Sequence, residues 1–183
     1  MQPSSAPDNP PWSSKLSVDD VPETGRRVAL VADDAARAAI AGLAGVRDIS
    51  RLEAAFEVTR HARDGLHVTG KVSARVGQDC VVTLEPMESD VEEPVDVLFL
   101  PPEKIAARAE NDDDALEVDS GPDVEPLTGD SIDLGALATE FLLLGIDPYP
   151  RKPDVEFAPP QAEDDTTRPF AALAALKRDR SAE

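Results

Sequence analysis

Cys80 is the only cysteine of the chain, and His61 and His67 are its only histidines. A lone thiol makes neither an internal disulfide nor a Cys₄ zinc site, and a zinc ion needs three or four ligands. His61 and His67 flank the turn signal Asp64-Gly65, where histidines ordinarily face solvent, and two of them do not complete a site. Asp112-Asp113-Asp114 could hold a hard cation, but the run lacks the alternation of ligands and the glycine of a calcium loop, so it reads as a solvated loop. Cys80 falls on the apolar register of its strand and is expected to be a small, buried, inert group. No serine or cysteine has a base and an orienting acid in a recognisable arrangement, and there is no glycine-rich phosphate loop. The residues therefore predict no catalytic centre, no cofactor and no metal.

Charge points to a binding role. The 183 residues carry a formal net charge of −19, with a pI near 4.3. Such a field repels phosphate backbones and attracts basic surfaces. From Glu85 to Glu125 there are 15 acidic residues and two basic ones, Lys104 and Arg108. The stretch from Arg26 to Arg75 runs the other way, with nine basic and six acidic residues. A basic face is thus a second possibility, although no aromatic platform interleaves with it.

The elements that must position these groups are legible from periodicity. Leu16 to Val18 and Arg27 to Val31 read as short strands around a Pro22/Gly25 turn. Asp33 or Asp34 caps a helix whose apolar face is Ala36, Ala39, Ile40 and Leu43, with Arg37 opposite. Leu52, Ala54, Phe56 and Val58 then alternate with polar residues. After a turn, Leu66, Val68, Val72, Ala74, Val76, Cys80, Val82 and Leu84 do the same. All these positions are even-numbered, so facing pairs must sum to an even number if both sets are to share one face. A three-residue loop, Arg63-Asp64-Gly65, satisfies this by pairing residue 62 with residue 66, with Gly65 left-handed. Gly77 is a candidate bulge. Val91, Val95, Val97 and Phe99 continue as a third strand that Pro101-Pro102 stops. Leu134, Leu137, Ala138, Phe141 and Leu142 form a second helix capped by Asp133 and closed by Gly145 and Pro148.

The expected fold class is α+β: a mainly antiparallel β-sheet with a long hairpin, covered by two helices, plus a long acidic disordered loop and flexible termini. The expected boundaries are a flexible N-terminus (1–14), a single domain (15–147) with its acidic loop at 103–126, a Pro-rich acidic linker (148–167) and a short amphipathic helix (168–183). Trp12 is expected to tuck against the core. In the tail, Phe170, Leu173 and Leu176 form an apolar stripe ahead of Lys177, Arg178 and Arg180. Residues 1–14 lack the apolar region of a signal peptide, and no apolar run approaches the roughly 18 residues of a membrane span. One cysteine fits a reducing cytoplasm.

Three segments in this order resemble a known family. They are Cys80-Val-Val-Thr83-Leu84-Glu85-Pro86, then Asp130-Ser-Ile132-Asp133-Leu134 leading to Glu140-Phe-Leu-Leu-Leu144, and finally Arg168-Pro-Phe170-Ala-Ala-Leu173-Ala-Ala-Leu176-Lys177. With the acidic strand and loop between the first two, the set resembles the YceD family of large ribosomal RNA subunit accumulation proteins, and its N-terminal part the alphaproteobacterial branch. Many members carry Cys-x-x-Cys-Leu at the first motif. Here Thr83 takes the second position, which sets this chain apart for any metal or redox role. The resemblance implies a part in accumulating large-subunit ribosomal RNA and carries over no catalytic residue.

The function expected is therefore that of a non-catalytic ribosome-biogenesis factor in the cytoplasm. Its partner would be a basic ribosomal protein or a pre-ribosomal particle. Attraction would come from the acidic segment including Asp112, Asp113 and Asp114, and anchoring from Phe99 and from Phe170, Leu173, Leu176 and Lys177. Direct nucleic-acid contact is the disfavoured alternative, a metal-dependent enzyme is weaker still, and no membrane contact is expected.

Overall fold

Alternating apolar and polar residues from Leu52 to Val97 become three long antiparallel strands in the computed structural model, which describes residues 10–62, 64–111 and 121–156, with side chains from 107 to 111 excluded. The chain divides into a unit Met1–Lys152 and a unit Pro153–Glu183. In the first unit the elements run β1 (Lys15–Ser17), β2 (Arg26–Val31), α1 (Asp34–Ala44), β3 (Asp48–His61), β4 (Gly65–Asp79), β5 (Pro86–Leu100), α2 (Pro102–Asn111), β6 (Asp123–Pro126), β7 (Ser131–Asp133) and α3 (Leu134–Gly145). The main sheet has the order β2-β3-β4-β5-β6, antiparallel except for the β5–β6 pair, and β1 pairs with β7 in a separate two-stranded sheet. The class is α+β, as expected. No helix among the described residues is long and apolar enough to cross a membrane.

One face of the sheet carries Leu52, Phe56, Val58, Leu66, Val68, Val72, Val76, Val91 and Val97, all buried in a single cluster with Ile40 of α1 and Leu134, Leu137 and Leu142 of α3. Burying a side chain such as Ile40 stabilises the fold by about 2 kcal/mol. Asp33 caps α1 by accepting from the Ala36 N–H at 2.8 Å, and Gly45 ends it in the left-handed region at φ 67°. The buried face of α1 is narrower than the expected stripe. Ala36, Ile40 and Ala41 are buried, whereas Ala39 and Leu43 face solvent. Trp12 packs against the core from outside, as expected.

The parity argument holds, but the register is displaced by one pair. His61 pairs with Gly65 and Arg60 with Leu66, so the turn lies between His61 and Gly65 and contains Asp64. Ala62 takes the left-handed conformation, at φ 54°, in place of Gly65. Gly65 cannot be displaced into the turn because it sits tight in the sheet, where a Cβ would lie 2.9 Å from the Phe99 carbonyl oxygen. The expected bulge at Gly77 is also corrected, since Gly77 pairs regularly with both Asp48 and Glu88 and the register shift falls between Ile49 and Arg51. Gly70 is the glycine the sheet requires. Its φ is 155°, and a Cβ would run into the carbonyl oxygen of Ala55.

The acidic loop expected at 103–126 is corrected at both ends. Pro102, in the first turn of α2, needs no hydrogen-bonding N–H there, Glu103 suits the positive helix end, and the Ala-rich sequence that follows favours helix. At the far end β6 adds to the sheet edge, with Val124 opposite Leu98, and the Leu127 N–H donates to the Leu100 carbonyl at 2.7 Å. Residues 112–120, including Asp112, Asp113 and Asp114, and the tail with Phe170, Leu173, Leu176 and Lys177 lie outside the described residues, as do residues 1–9.

Candidate functional site

Cys80, Val82 and Leu84 were expected to continue the buried face of the strand, but β4 ends at Asp79 and the first motif forms one tight turn before β5, with Leu84 exposed. Cys80 donates its N–H to the Glu85 carbonyl at 2.9 Å and accepts the Leu84 N–H at 2.8 Å. A later segment closes over it. The Val81 N–H donates to the Pro150 carbonyl at 2.9 Å, the Lys152 N–H to Cys80 Sγ at 3.4 Å, and Lys152 Nζ to Glu85 Oε2 at 2.7 Å. The segment 148–152, expected to begin a linker, is thus held on this turn. Its Pro-rich composition pointed away from that role, and only a long-range contact pattern could have revealed it.

Cys80 is buried, as expected, yet it is not surrounded by apolar groups alone. The Thr83 hydroxyl, and then the N–H groups of Lys152, Thr83 and Val82, draw its thiol down to about 6 against the opposing effect of burial. Glu85 is held below the usual carboxylate range by its hydrogen bond and charge pairing with Lys152. Thr83, where many family members place a second cysteine, is here a donor to the first. One sulfur, a hydroxyl shared between that sulfur and Glu85, and an adjacent ammonium-bearing segment do not suit a zinc ion. Among the described residues no three His, Cys, Asp or Glu side chains come together to hold a metal.

The second motif organises a helix start. Asp133 caps α3, with Oδ1 accepting from the Gly135 and Ala136 N–H groups at 3.0 and 3.1 Å. The same carboxylate binds the N-terminal segment, through the Ser14 N–H at 2.8 Å and the Ser13 hydroxyl at 2.5 Å. Burial raises the Asp133 pKa, but the bonds from Ser13, Ser14, Ala136 and Gly135 outweigh it and leave the group below its ordinary value. Ile132 pairs with Leu16, Ile132 and Leu134 are buried, and Glu140 is exposed on α3. These residues hold the fold together, and no hydrogen bond among the described residues joins them to the Cys80 turn.

The outer face of the sheet is a ladder of opposite charges. Arg75 pairs with Glu88 at 2.7 Å and Asp90 at 3.3 Å, Lys71 with Glu92 at 3.2 Å, and His67 with Asp96 at 2.6 Å. Hydrogen bonding to Glu88 leads the effects that raise the Arg75 pKa. These side chains are well exposed, so solvent screening leaves each pair contributing little. His67, expected as a solvent-exposed residue flanking the turn, lies within β4 and is hydrogen-bonded to Asp96.

Of the cations from Arg26 to Arg75, Arg51 and Arg75 face each other across β3 and β4 and both reach Asp90, with Lys71 on the same outer face, while others are engaged singly. Arg37 binds Asp34 and the Ala32 carbonyl, Arg47 binds Asp79, and Arg60 donates to the Val21 and Val18 carbonyls. Phe99, an expected anchor, lies opposite Leu66 and packs partly buried against the core. A groove of about 470 Å³ crosses the outer face between Arg27, Ala29, Ala55, Glu57 and Thr69, with Arg27 and Glu57 the only ionisable groups in its lining.

No curated protein and no solved structure is significantly similar to the chain. The family model for the large ribosomal RNA subunit accumulation protein YceD matches residues 68–177, a span that takes in the Cys80 turn, the acidic strand, the Asp133 cap and the tail motif. The chain belongs to the YceD family of large ribosomal RNA subunit accumulation proteins.

Proposed function

We propose that this protein supports the accumulation of large-subunit ribosomal RNA without catalysis, by binding a basic ribosomal protein or a pre-ribosomal particle in the cytoplasm. The observation that carries the reading is the outward row Glu88, Asp90, Glu92 and Asp96 on β5. These four carboxylates face three fixed cations, Lys71 and Arg75 of the neighbouring strand and Arg51 of β3. In a chain of net charge −19, a rigid row of carboxylates gives a basic partner both attraction and register. The partner's lysines and arginines would replace exposed ion pairs that individually contribute little.

The test separates protein from RNA. Replacing Lys71 and Arg75 with alanine uncovers the β5 carboxylates while removing cations. Association with purified large-subunit ribosomal proteins, measured by interferometry at several salt concentrations, is expected to strengthen severalfold. Direct RNA binding through the cations predicts the reverse, a weaker complex with ribosomal RNA fragments, and that outcome rejects the reading.

A further inference from the structure

β2 forms one edge of the main sheet, and among the described residues no strand lies beyond it. Its register shows which backbone groups are left over. The Ala32 N–H donates to the Leu52 carbonyl at 3.0 Å, in step with the pairs Leu30–Ala54, Val28–Phe56 and Arg26–Val58. Hydrogen-bonded pairs alternate along an antiparallel ladder. The even-numbered residues of β2 therefore bond to β3, while Arg27, Ala29 and Val31 turn their N–H and C=O groups away from the sheet. Among the described residues no hydrogen bond reaches those groups. The usual protections of an edge are missing as well. β2 pairs without a bulge, holds no proline and no lysine, and carries charge only at Arg26 and Arg27. Val28 and Leu30 pack on the core yet stay half-buried, and Val31 is 72% exposed on the outer face.

We propose that β2 pairs with β2 of a second copy of this chain, antiparallel about a two-fold axis at Ala29, so that the two sheets join into one. The strand is self-complementary in that register. Arg27 pairs with Val31 of the other copy and Ala29 with its own counterpart, so every outward N–H and C=O of the three residues finds a partner. Val28 lies opposite Leu30 of the other copy, and each completes the burial of the other beside its own core. Neither arginine meets an arginine. Arg26 falls opposite Ala32, and Arg27 lies over Val31 and next to Glu53, the β3 neighbour of that valine. Pairing one patch with itself about a two-fold axis is the closed arrangement most homodimers use. Charge favours this edge too. The stretch from Arg26 to Arg75 holds nine basic and six acidic residues. The carboxylates of β5 lie three strands away, roughly 14 Å, beyond the Debye length of about 8 Å at physiological salt. The inference is independent of what the acidic face binds.

The experiment is sedimentation equilibrium of the full-length chain up to about 1 mM, at low and high salt, with hydrogen exchange of the β2 amides at the same concentrations. A concentration-dependent dimer is expected, tighter at high salt, where the net charge of −19 on each copy is screened. The amides of Arg27, Ala29 and Val31 should gain protection as it forms. Ala29→Pro removes an N–H that the sheet of one copy does not use, and should abolish the dimer. Val31→Lys sets a cation opposite Arg27 at both ends and should weaken the dimer about fivefold, whereas Val31→Glu should tighten it about fivefold. Val31 is exposed in the single chain, so these opposite shifts do not depend on the proline variant folding. A chain that stays monomeric, a dimer that high salt dissolves, or one that the two Val31 variants do not shift in opposite directions overturns the inference. Protection of the three amides only when ribosomal protein or RNA is added also overturns it, and gives the edge to that partner instead.

Discussion

The backbone N–H of Lys152 lies 3.4 Å from the sulfur of Cys80, so a residue 72 positions downstream helps set the chemistry of the chain's only thiol. With Thr83 it favours the thiolate, and the thiol falls from a reference value of 9.0 to about 6. A depressed pKa contributes stability that is fully present above the unfolded value and lost as pH falls through the folded one. Stability should therefore rise between about pH 6 and pH 9 through this group and flatten above. Cys80→Ser keeps a small hydrogen-bonding group in place and should fold, but without that rise. Denaturant unfolding of both proteins across this range checks it, and parallel pH profiles reject it. Thiolate absorbance should titrate near pH 6 in the native protein only.

Asp133 carries a second prediction. Asp133→Ala removes the cap of α3 and the acceptor for Ser13 and Ser14 together, so it should cost about 1–2 kcal/mol, near the upper end for a helix cap. The folded pKa is lowered, so the contribution of this carboxylate is present above pH 3.8 and lost as pH falls below it. Urea midpoints at neutral and acidic pH should differ more for the parent protein than for the variant. Equal midpoints at neutral pH would show that the cap is dispensable.

Gly70 tests the sheet itself. In Gly70→Ala the new methyl meets the Ala55 carbonyl oxygen and lies 2.9 Å from the Phe56 Cα, both backbone atoms of the neighbouring strand β3. Neither can move without disturbing the ladder, and φ 155° already disfavours a side chain. A loss of about 2 kcal/mol or more is expected in thermal or denaturant unfolding. A Tm close to the parent's would mean that β3 and β4 slide apart more readily than their pairing suggests.

The hairpin, the two capped helices and the acidic third strand were legible because period and capping are local. Leu52 to Val58 and Leu66 to Val76 announce one buried face, and Asp33 and Asp133 announce helix starts. The exact register was not legible, because the choice between pairing 62 with 66 and 61 with 65 depends on Gly65 packing against Phe99, a residue of the third strand. α2 was masked by acidic composition although Pro102 and the alanines favour helix. The role of Lys152 was out of reach for a different reason. It depends on a group 72 residues away, and the residue type in its local context signals no partner.

Leu84 carries the last prediction. It holds φ 57°, a left-handed conformation unusual for a bulky side chain, and is 78% exposed, so no packing in its own fold repays the strain. Asparagine tolerates that conformation far better. Leu84→Asn should therefore stabilise the protein by roughly 0.5–1 kcal/mol while removing an exposed apolar group beside Glu85. Leu84 is an apolar group held outward, so if the proposed function holds and Leu84 lies on the docking face, the same variant should weaken association with the proposed basic partner. Unfolding midpoints and interferometry on one preparation check both halves. Higher stability with unchanged association would leave Leu84 as strain without a use, and lower stability would show that the leucine supports the Cys80 turn after all.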